Sequence, residues 1–387
     1  MKQLFNEKLE SLDELLLPKF NRLAQNLGAE LFLTIGEPDF DTPKVIKQTG
    51  IQALEDGLTK YSLTPGSIKL RRAISGFEKQ TNYANYSVDE VLVTAGSTEG
   101  LSIALTTILN VDDEVIVLTP AYPQYSKSIG LVGGKAVFVD TSKTDFQVSE
   151  KLLLSVITEK TKAIIITSPN NPTGTILNEK SIQTISKLAK EHEFFILSDE
   201  CYNQIVFTES SPLAISSDAS IKDWLIVCQS FSKPYAMPGW RLGYILASAP
   251  FIEQAKKTHQ YTAGAVNTFV QEAGIAALWF DPKEMVVSYQ KRRDYVYKRL
   301  LEIGLEVVKP EGAFYIFPSI KQFGLSSWEF CERLVKEEKV ALLPGICFEA
   351  EGYIRLSFCV EKQVIVESLN RLEQFVLRLT GEKSNGV

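Results

Sequence analysis

Short apolar runs alternate with segments of helical spacing through the middle of this chain, between residues 90 and 250. The runs lie at 91–94, 114–118, 135–139, 162–167, 194–198, 224–228 and 242–246, and helical patterns such as 98–109 and 179–191 separate most of them. Continuous apolar runs of this length are typical of strands that are buried on both faces. The alternation therefore predicts an α/β fold, in which a mostly parallel seven-stranded sheet lies between helices.

The pattern changes after residue 282. A long helical segment at 286–301 precedes predicted strands at 305–308, 313–317, 340–343 and 353–357, with helices near 326–337 and 361–380. This order favours a smaller C-terminal α+β domain at 283–387. Residues 46–282 then form the large domain, and residues 1–45 form an N-terminal arm and part of the small domain. A chain of 387 residues has room for both domains.

A constrained loop follows the predicted strand 224–228 and carries a lysine. It begins with 230–234 (SFSKP) and continues to 239–243 (GWRLG). Prolines at both ends of the intervening segment disfavour a helix, so Lys233 projects from a loop. Most lysines are solvated surface residues. A lysine held at the end of a buried strand, however, loses its proton readily and can attack a carbonyl to form a Schiff base.

The same loop offers groups that suit a phosphate. Hydroxyls such as that of Ser230, together with the guanidinium of Arg241, can bind a phosphate dianion. An aldehyde and a phosphate on one ligand describe pyridoxal 5′-phosphate (PLP). The spacing Ser230-x-x-Lys233 also occurs in penicillin-binding enzymes, but their motif needs a helix start and S-D-N and K-T-G partners. The sequence lacks these partners, which excludes a serine nucleophile.

Polar residues also follow four other predicted strands, where ligands of parallel sheets bind. They are Ser97 and Thr98 after 91–94, Tyr122 after 114–118, Asn171 after 162–167, and Asp199 with Tyr202 after 194–198. Taken singly, each has an ordinary explanation as a helix cap or a rigid turn. Taken together, they provide a phosphate site at a helix start, a ring to stack on a ligand, donors for a phenolic oxygen and a buried carboxylate for a pyridinium nitrogen.

Composition excludes several other classes of function. The net charge of −6 and the absence of a basic cluster argue against a nucleic-acid partner. No apolar run approaches membrane-spanning length, and the first residues lack the apolar segment of a signal peptide. Five cysteines without C-x-x-C spacing indicate reduced thiols in a cytoplasm, and two histidines make a histidine-rich metal site improbable.

These motifs in this order resemble the class I aminotransferases of PLP fold type I. The resemblance covers nearly the whole chain and rests on 36–40 (GEPDF), Tyr61 with 65–66 (PG), 171–174 (NPTG), 199–202 (DECY), the segment 230–243, and 355–358 (RLSF). The segment 312–318 (GAFYIFP) is most similar to bacterial aromatic-amino-acid and N-acetyl-diaminopimelate aminotransferases.

The resemblance implies a role for each matching residue. Lys233 would form the Schiff base with the cofactor and later move a proton between Cα and C4′. Asp199 would pair with the ring nitrogen. Other residues would bind the cofactor through its ring oxygen (Tyr202, Asn171), its ring face (Tyr122) and its phosphate (Ser97, Thr98, Ser230, Arg241, and Tyr61 from the other subunit of a dimer). Arg355 would bind the substrate α-carboxylate, assisted by Gly36 and Asn171.

The resulting expectation is a cytoplasmic, homodimeric PLP-dependent aminotransferase. It would act by a ping-pong reaction between an L-amino acid and a 2-oxo acid such as 2-oxoglutarate, without nucleic acid, membrane or metal. The donor would be an aromatic amino acid or one resembling N-acetyl-LL-diaminopimelate. Two alternatives use the same fold: a C–S β-lyase, since the pocket selects which bond breaks, and a non-catalytic ligand sensor of the kind fused to DNA-binding domains.

Overall fold

The computed structural model describes residues 6–10, 12–208 and 214–384. Its helices are α1 Glu7–Glu10, α2 Leu16–Asn26, α3 Lys44–Glu55, α4 Ile68–Thr81, α5 Ser97–Ile108, α6 Gln124–Leu131, α7 Glu150–Leu154, α8 Glu179–Glu191, α9 Ala249–Thr262, α10 Thr268–Leu278, α11 Lys283–Ile303, α12 Ser327–Glu338 and α13 Lys362–Ser384. Its strands are β1 Leu31–Phe32, β2 Val91–Thr94, β3 Glu114–Thr119, β4 Lys135–Asp140, β5 Thr161–Thr167, β6 Phe195–Asp199, β7 Leu225–Ser230, β8 Gly243–Leu246, β9 Tyr315–Ile316, β10 Val340–Ala341, β11 Leu343–Pro344 and β12 Ile354–Ser357. Across these ranges, the helices are too short or too polar to cross a membrane.

The central sheet has seven strands in the order β2-β8-β7-β6-β5-β3-β4. The pairs from β7 to β4 are parallel, whereas β8 is antiparallel to both of its neighbours. This confirms the predicted α/β class with a mostly parallel seven-stranded sheet. Because β8 runs in the opposite direction, its first residue lies at the edge where the other strands end, and Gly243 pairs with Ser230.

Both faces of the sheet are covered by helices. Alternate residues of β5 belong to two separate apolar cores: Ile164 and Ile166 face one, and Ala163 and Ile165 face the other. Helices α4, α8 and α10 contribute to the first core, and α5, α6 and α9 to the second. This period-two division explains why the strands are apolar throughout their length.

Two smaller sheets lie outside the central one. Strand β1 pairs in parallel with β10, and β12 lies between β11 and β9 with antiparallel pairing. The N-terminal arm and the C-terminal part share an apolar core, in which Phe20 of α2 packs edge-to-face on Trp328 at 5.2 Å between ring centroids. The division of the chain at residues 45 and 282 stays a prediction.

The predicted strand at 305–308 is wrong. After α11 ends at Gly304, which has a positive φ of 88°, the amide of Leu305 bonds back to the carbonyl of Leu300 at 3.0 Å. Leu305 is buried, and Val307 and Val308 pack against the same core. These apolar side chains therefore pack beneath a helix end, and their segment joins none of the described sheets.

Candidate active site

A cavity of about 360 Å³ lies at the edge where the parallel strands of the central sheet end. Eleven of the twelve predicted site residues line it, namely Gly36, Ser97, Thr98, Tyr122, Asn171, Asp199, Tyr202, Ser230, Lys233, Arg241 and Arg355. The exception is Tyr61, whose side chain is fully exposed on the surface of the chain. Loops that are far apart in sequence therefore meet around one cavity.

Lys233 lies in the loop between β7 and β8 and is one of the residues that line the cavity. Its Nζ donates a hydrogen bond to the carbonyl oxygen of Gly36 at 2.6 Å. Burial lowers the pKa of Lys233, because desolvation disfavours the ammonium form. The geometry thus provides an amine that gives up its proton more easily than a surface lysine.

Gly36 permits a close contact that a side chain would block. A Cβ at this position would lie 2.2 Å from the hydroxyl oxygen of Tyr315. That hydroxyl is 2.8 Å from the hydroxyl of Tyr202, so the two phenols form one hydrogen-bonded pair in the cavity wall. This hydrogen bond fixes the position of Tyr202. The sequence predicted Tyr202 as a site residue but did not predict Tyr315.

Asp199 is the last residue of β6 and is 4 % exposed. Its carboxylate accepts hydrogen bonds from the hydroxyl of Tyr125 at 2.8 Å and from the amide of Cys201 at 3.4 Å. Burial raises the pKa of Asp199, because desolvation disfavours the carboxylate more than the hydrogen bonds from Tyr125 and Cys201 and the charge of Lys233 favour it. A cationic ligand atom such as a protonated ring nitrogen would supply the missing charge, so this position fits the pyridine end of PLP.

The other end of the cavity is positively charged. Ser97 and Thr98, the first residues of α5, line the cavity, and so does Ser230, the last residue of β7. Arg241, at a positive φ of 52°, donates to the carbonyls of Pro238 and Ala95, each at 3.1 Å. A helix N-terminus, hydroxyls and a guanidinium together fit a phosphate dianion.

A partly buried pair, Glu99 and His259, supports this end of the cavity, and the sequence analysis did not identify it. Glu99 accepts a hydrogen bond from the amide of Ala95 at 2.5 Å, and its other oxygen lies 3.2 Å from Nδ1 of His259. Burial acts to raise the pKa of Glu99, but the hydrogen bonds from His259 and Ala95 lower it overall. The pair fixes Ala95, whose carbonyl holds Arg241.

Arg355 forms an anion site on the opposite wall, at 2 % exposure. Its guanidinium donates to Oδ1 of Asn171 at 2.9 Å and to the carbonyl of Thr34 at 2.7 Å. It also lies over the rings of Tyr315 and Phe348, at 4.4 and 4.8 Å from their centroids. The guanidinium is thus fixed in a planar orientation that suits a carboxylate.

Three polar atoms in this cavity wall are buried without a hydrogen-bond partner among the described residues. They are Nε of Arg355, Oγ1 of Thr34 and Oδ1 of Asn21. Buried polar groups are nearly always paired in folded proteins, so a cluster of unpaired ones indicates that a polar ligand completes them. Asn21 and Thr34 were not predicted, because they come from the N-terminal arm, far in sequence from the strand ends.

Comparison with known proteins agrees with this geometry. The family described as "Aminotransferase class I and II" matches residues 30–372. The chain is 37% identical over 384 residues to a probable N-acetyl-LL-diaminopimelate aminotransferase of Bacillus subtilis, covering 98% of this chain and 97% of that protein. It is 38% identical over 378 residues to aromatic-amino-acid aminotransferase 2 of Thermococcus litoralis, covering 95% and 97%.

Solved structures show the same relationship. An aspartate aminotransferase from Thermotoga maritima superposes with a TM-score of 0.92 at 34% identity, covering 96% of this chain and all of that one. The expected fold type is therefore confirmed, and so is PLP as the cofactor. The protein is an enzyme that exchanges an amino group between amino acids and 2-oxo acids. This chain belongs to the class I and II aminotransferases.

Proposed function

We propose that this enzyme transfers the amino group of an L-amino acid to 2-oxoglutarate by a ping-pong reaction, and that it does so as a cytoplasmic homodimer. The donor would be aromatic or would resemble N-acetyl-LL-diaminopimelate, the substrates named for two of the relatives. The observation that carries the proposal is the single cavity lined by Lys233, Asp199 and Arg355. An amine, a buried carboxylate and an anion site are the groups that transamination requires.

Lys233 has the central role in this proposal. Bound PLP supplies an electron sink for the electrons released when a bond at the substrate Cα breaks. The amine of Lys233 would hold the cofactor covalently and, once substrate has displaced it, would act as the base that moves a proton between Cα and C4′. Its lowered pKa, caused by burial, favours the neutral amine that both tasks need.

The other residues hold the ligands in place. Asp199 keeps the ring nitrogen protonated, and Tyr125 orients Asp199 through its hydrogen bond at 2.8 Å. The residues that would bind the phosphate are Ser97, Thr98, Ser230 and Arg241. Tyr122 would stack on the ring, and Tyr202 and Asn171 would donate to the ring oxygen. Arg355 binds the substrate α-carboxylate, with Gly36 and Asn171 beside it.

The homodimer completes the site in this proposal. Tyr61 is fully exposed and lies close in sequence to the exposed apolar side chain of Leu63, and α3 exposes Ile51 and Leu54. A surface of this kind is typical of an interface. Tyr61 of the partner subunit would then reach the phosphate. Five buried free cysteines among the described residues support a reducing compartment such as the cytoplasm.

A screen of single amino acids tests the reaction. Purified holoenzyme is mixed with phenylalanine, tyrosine, glutamate or N-acetyl-LL-diaminopimelate, and the visible absorbance of the bound cofactor is followed. We expect one class of donor to bleach the absorbance rapidly and 2-oxoglutarate to restore it. Release of pyruvate from cystathionine without any 2-oxo acid, with no bleaching by the donors, would favour a β-lyase instead.

Substitution of the lysine tests the central role directly. Borohydride reduction should fix the cofactor covalently to the wild-type protein but not to Lys233→Ala, and donor turnover should fall by at least about a thousandfold. The exposed Lys143 provides a control, since Lys143→Ala should be labelled like the wild type. Mass spectrometry of the reduced proteins measures the labelling. A labelled Lys233→Ala protein would contradict the assignment.

A further inference from the structure

Helix α2 contributes to the active-site cavity from outside the central sheet. Leu17 and Asn21 are one helical turn apart, so they lie on the same face, and both line the cavity. The adjoining part of the same helix face is anchored, because Phe20 and Ala24 are completely buried in the core. The position of the two lining residues is therefore fixed by packing that does not depend on a ligand.

Asn21 lowers the stability of the folded chain at its position in α2. Asparagine favours helix ends and turns over helix interiors, and Asn21 is the central residue of α2. Its Oδ1 is buried and has no partner among the described residues. An unpaired buried acceptor costs about 1–3 kcal/mol. Within the described parts of the chain no contact offsets this cost, which leaves a hydrogen-bond donor of a ligand in the cavity as the partner of this oxygen.

The charges in the cavity wall restrict what that ligand can be. The charged side chains that line it are Asp199, Lys233, Arg241 and Arg355. Each of these already has a task in the proposed function, at the ring nitrogen, the reacting carbon, the phosphate or the α-carboxylate. The described residues of this chain that line the cavity thus provide no further cation for a distal carboxylate and no further anion for a distal ammonium group, so the distal carboxylate of 2-oxoglutarate would bind without an ion pair from this chain.

We propose that Asn21 accepts a hydrogen bond from the far end of the substrate side chain, and that the preferred amino donors have uncharged side chains that end in a hydrogen-bond donor. A phenol or a carboxamide meets this description. Leu17 and the neighbouring Ile35 provide an apolar surface for the body of such a side chain. The inference rests on the proposed function, because it takes the α-carboxylate to be bound at Arg355.

The test uses matched pairs of donors that differ in the distal group. Tyrosine is compared with phenylalanine, and glutamine with methionine, while aspartate and lysine represent the charged classes. The rate of cofactor bleaching is measured with wild-type holoenzyme, with Asn21→Leu and with the control Asn26→Leu. Asn26 is the exposed last residue of the same helix and is not part of the cavity wall.

We expect the wild type and Asn26→Leu to favour the hydrogen-bonding member of at least one pair by about tenfold. In Asn21→Leu this ratio should fall to about one, mainly through faster reaction of phenylalanine or methionine. The inference is overturned if Asn21→Leu keeps the wild-type ratio, if both pairs are converted without preference, or if aspartate or lysine is the best donor. Absence of bleaching with every donor would instead refute transamination, and the inference with it.

Discussion

At the scale of single residues, neighbouring carboxylates at the end of β6 have different environments. Asp199 faces the active-site cavity, whereas Glu200 lines another cavity of about 380 Å³. Glu200 is 4 % exposed and accepts hydrogen bonds from Ser198 at 3.0 Å and Gln229 at 3.1 Å. Burial, and then the charge of nearby Glu78, raise the pKa of Glu200 to about 8. Glu200 is therefore a neutral acid at pH 7.

This environment predicts a pH-dependent effect on stability. Between the ordinary glutamate pKa of 4.5 and about 8, the folded protein binds a proton at Glu200 that the unfolded chain does not. Its contribution to the free energy of unfolding is therefore complete below pH 4.5 and is lost as the pH rises to about 8. Glu200→Gln removes this loss, so its stability relative to wild type should increase from pH 5 to pH 8 and stay constant above.

Urea unfolding of the wild type and of Glu200→Gln at a series of pH values measures the effect. The relative unfolding constant of the two proteins should change by at least about tenfold between pH 5 and pH 8. Glu179→Gln, at an exposed position in the first turn of α8, should show no such change. A stability difference for Glu200→Gln that does not vary with pH would contradict the shifted titration.

The sequence predicted those site residues that have a local signal. Lys233 lies between small residues and prolines, and Asp199 directly follows an apolar strand, so composition and position identified both. Tyr125 has no such signal, since it lies within α6 and meets Asp199 only because α6 packs on the sheet. Asn21 likewise reaches the cavity through the packing of α2. Contacts of this kind depend on the arrangement of whole elements.

At the scale of secondary structure, the start of α5 depends on a glycine. Gly96 has a φ of +87°, and a Cβ there would lie 2.8 Å from Nη2 of Arg241. Gly96→Ala should therefore displace the guanidinium and raise the dissociation constant of PLP by about tenfold or more, as expected for the loss of one charge-assisted hydrogen bond. Absorbance titration of the apoprotein with PLP measures this constant.

Gly57 provides the matched control for that substitution. It has a similar φ of +75°, and a Cβ there would meet no atom within 4 Å. Both alanine variants should lose about 1–3 kcal/mol of stability, because a positive φ is strained for alanine at Gly57 and because Gly96, at φ 87° and ψ 172°, has a backbone conformation that is nearly exclusive to glycine. Only Gly96→Ala should also lose affinity for PLP. Equal PLP affinity in the two variants would show that Arg241 tolerates the added methyl group.

The hydrophobic pattern of each segment decided whether its secondary structure was predicted correctly. The strands of the central sheet are apolar because both of their faces are buried, and this property is visible in the sequence. The segment 305–308 contains three apolar residues, but only Leu305 is fully buried, while Val307 and Val308 pack against the same core as a loop after α11. Periodicity reports burial, and it cannot distinguish a short strand from a buried loop of the same length.

At the scale of the whole molecule, the proposed dimer predicts the effect of a charge on α3. Ile51 is 56% exposed and belongs to the same apolar surface as Leu54. Ile51→Asp should place an unpaired carboxylate in the interface, convert dimers of the 43.2 kDa chain into monomers and weaken PLP binding. Light scattering after size-exclusion chromatography measures the mass, and absorbance titration measures the affinity.

The similarly exposed Leu154 of α7 is the control for that charge. Its side chain is 48% exposed and belongs to a helix that is not part of the proposed interface, so we expect Leu154→Asp to stay dimeric and to bind PLP like the wild type. If Ile51→Asp remained a dimer with unchanged PLP affinity, the interface would lie elsewhere. If the wild type were a monomer that binds PLP tightly, Tyr61 would have no role in the site.

The pairing of β1 with β10 has a consequence for synthesis on the ribosome. Leu31 cannot form its strand pairing until Val340 has been translated, about 300 residues later. At about 5–20 residues per second, this delay is about 15–60 s. Asn21 and Thr34 flank β1, and Arg355 follows β10, so the substrate half of the cavity is assembled from the first and last parts of the nascent chain. The residues of this chain that are proposed to bind the phosphate, which end at Arg241, are all translated before Val340, so the part of the cavity that binds the amino acid is the last to form.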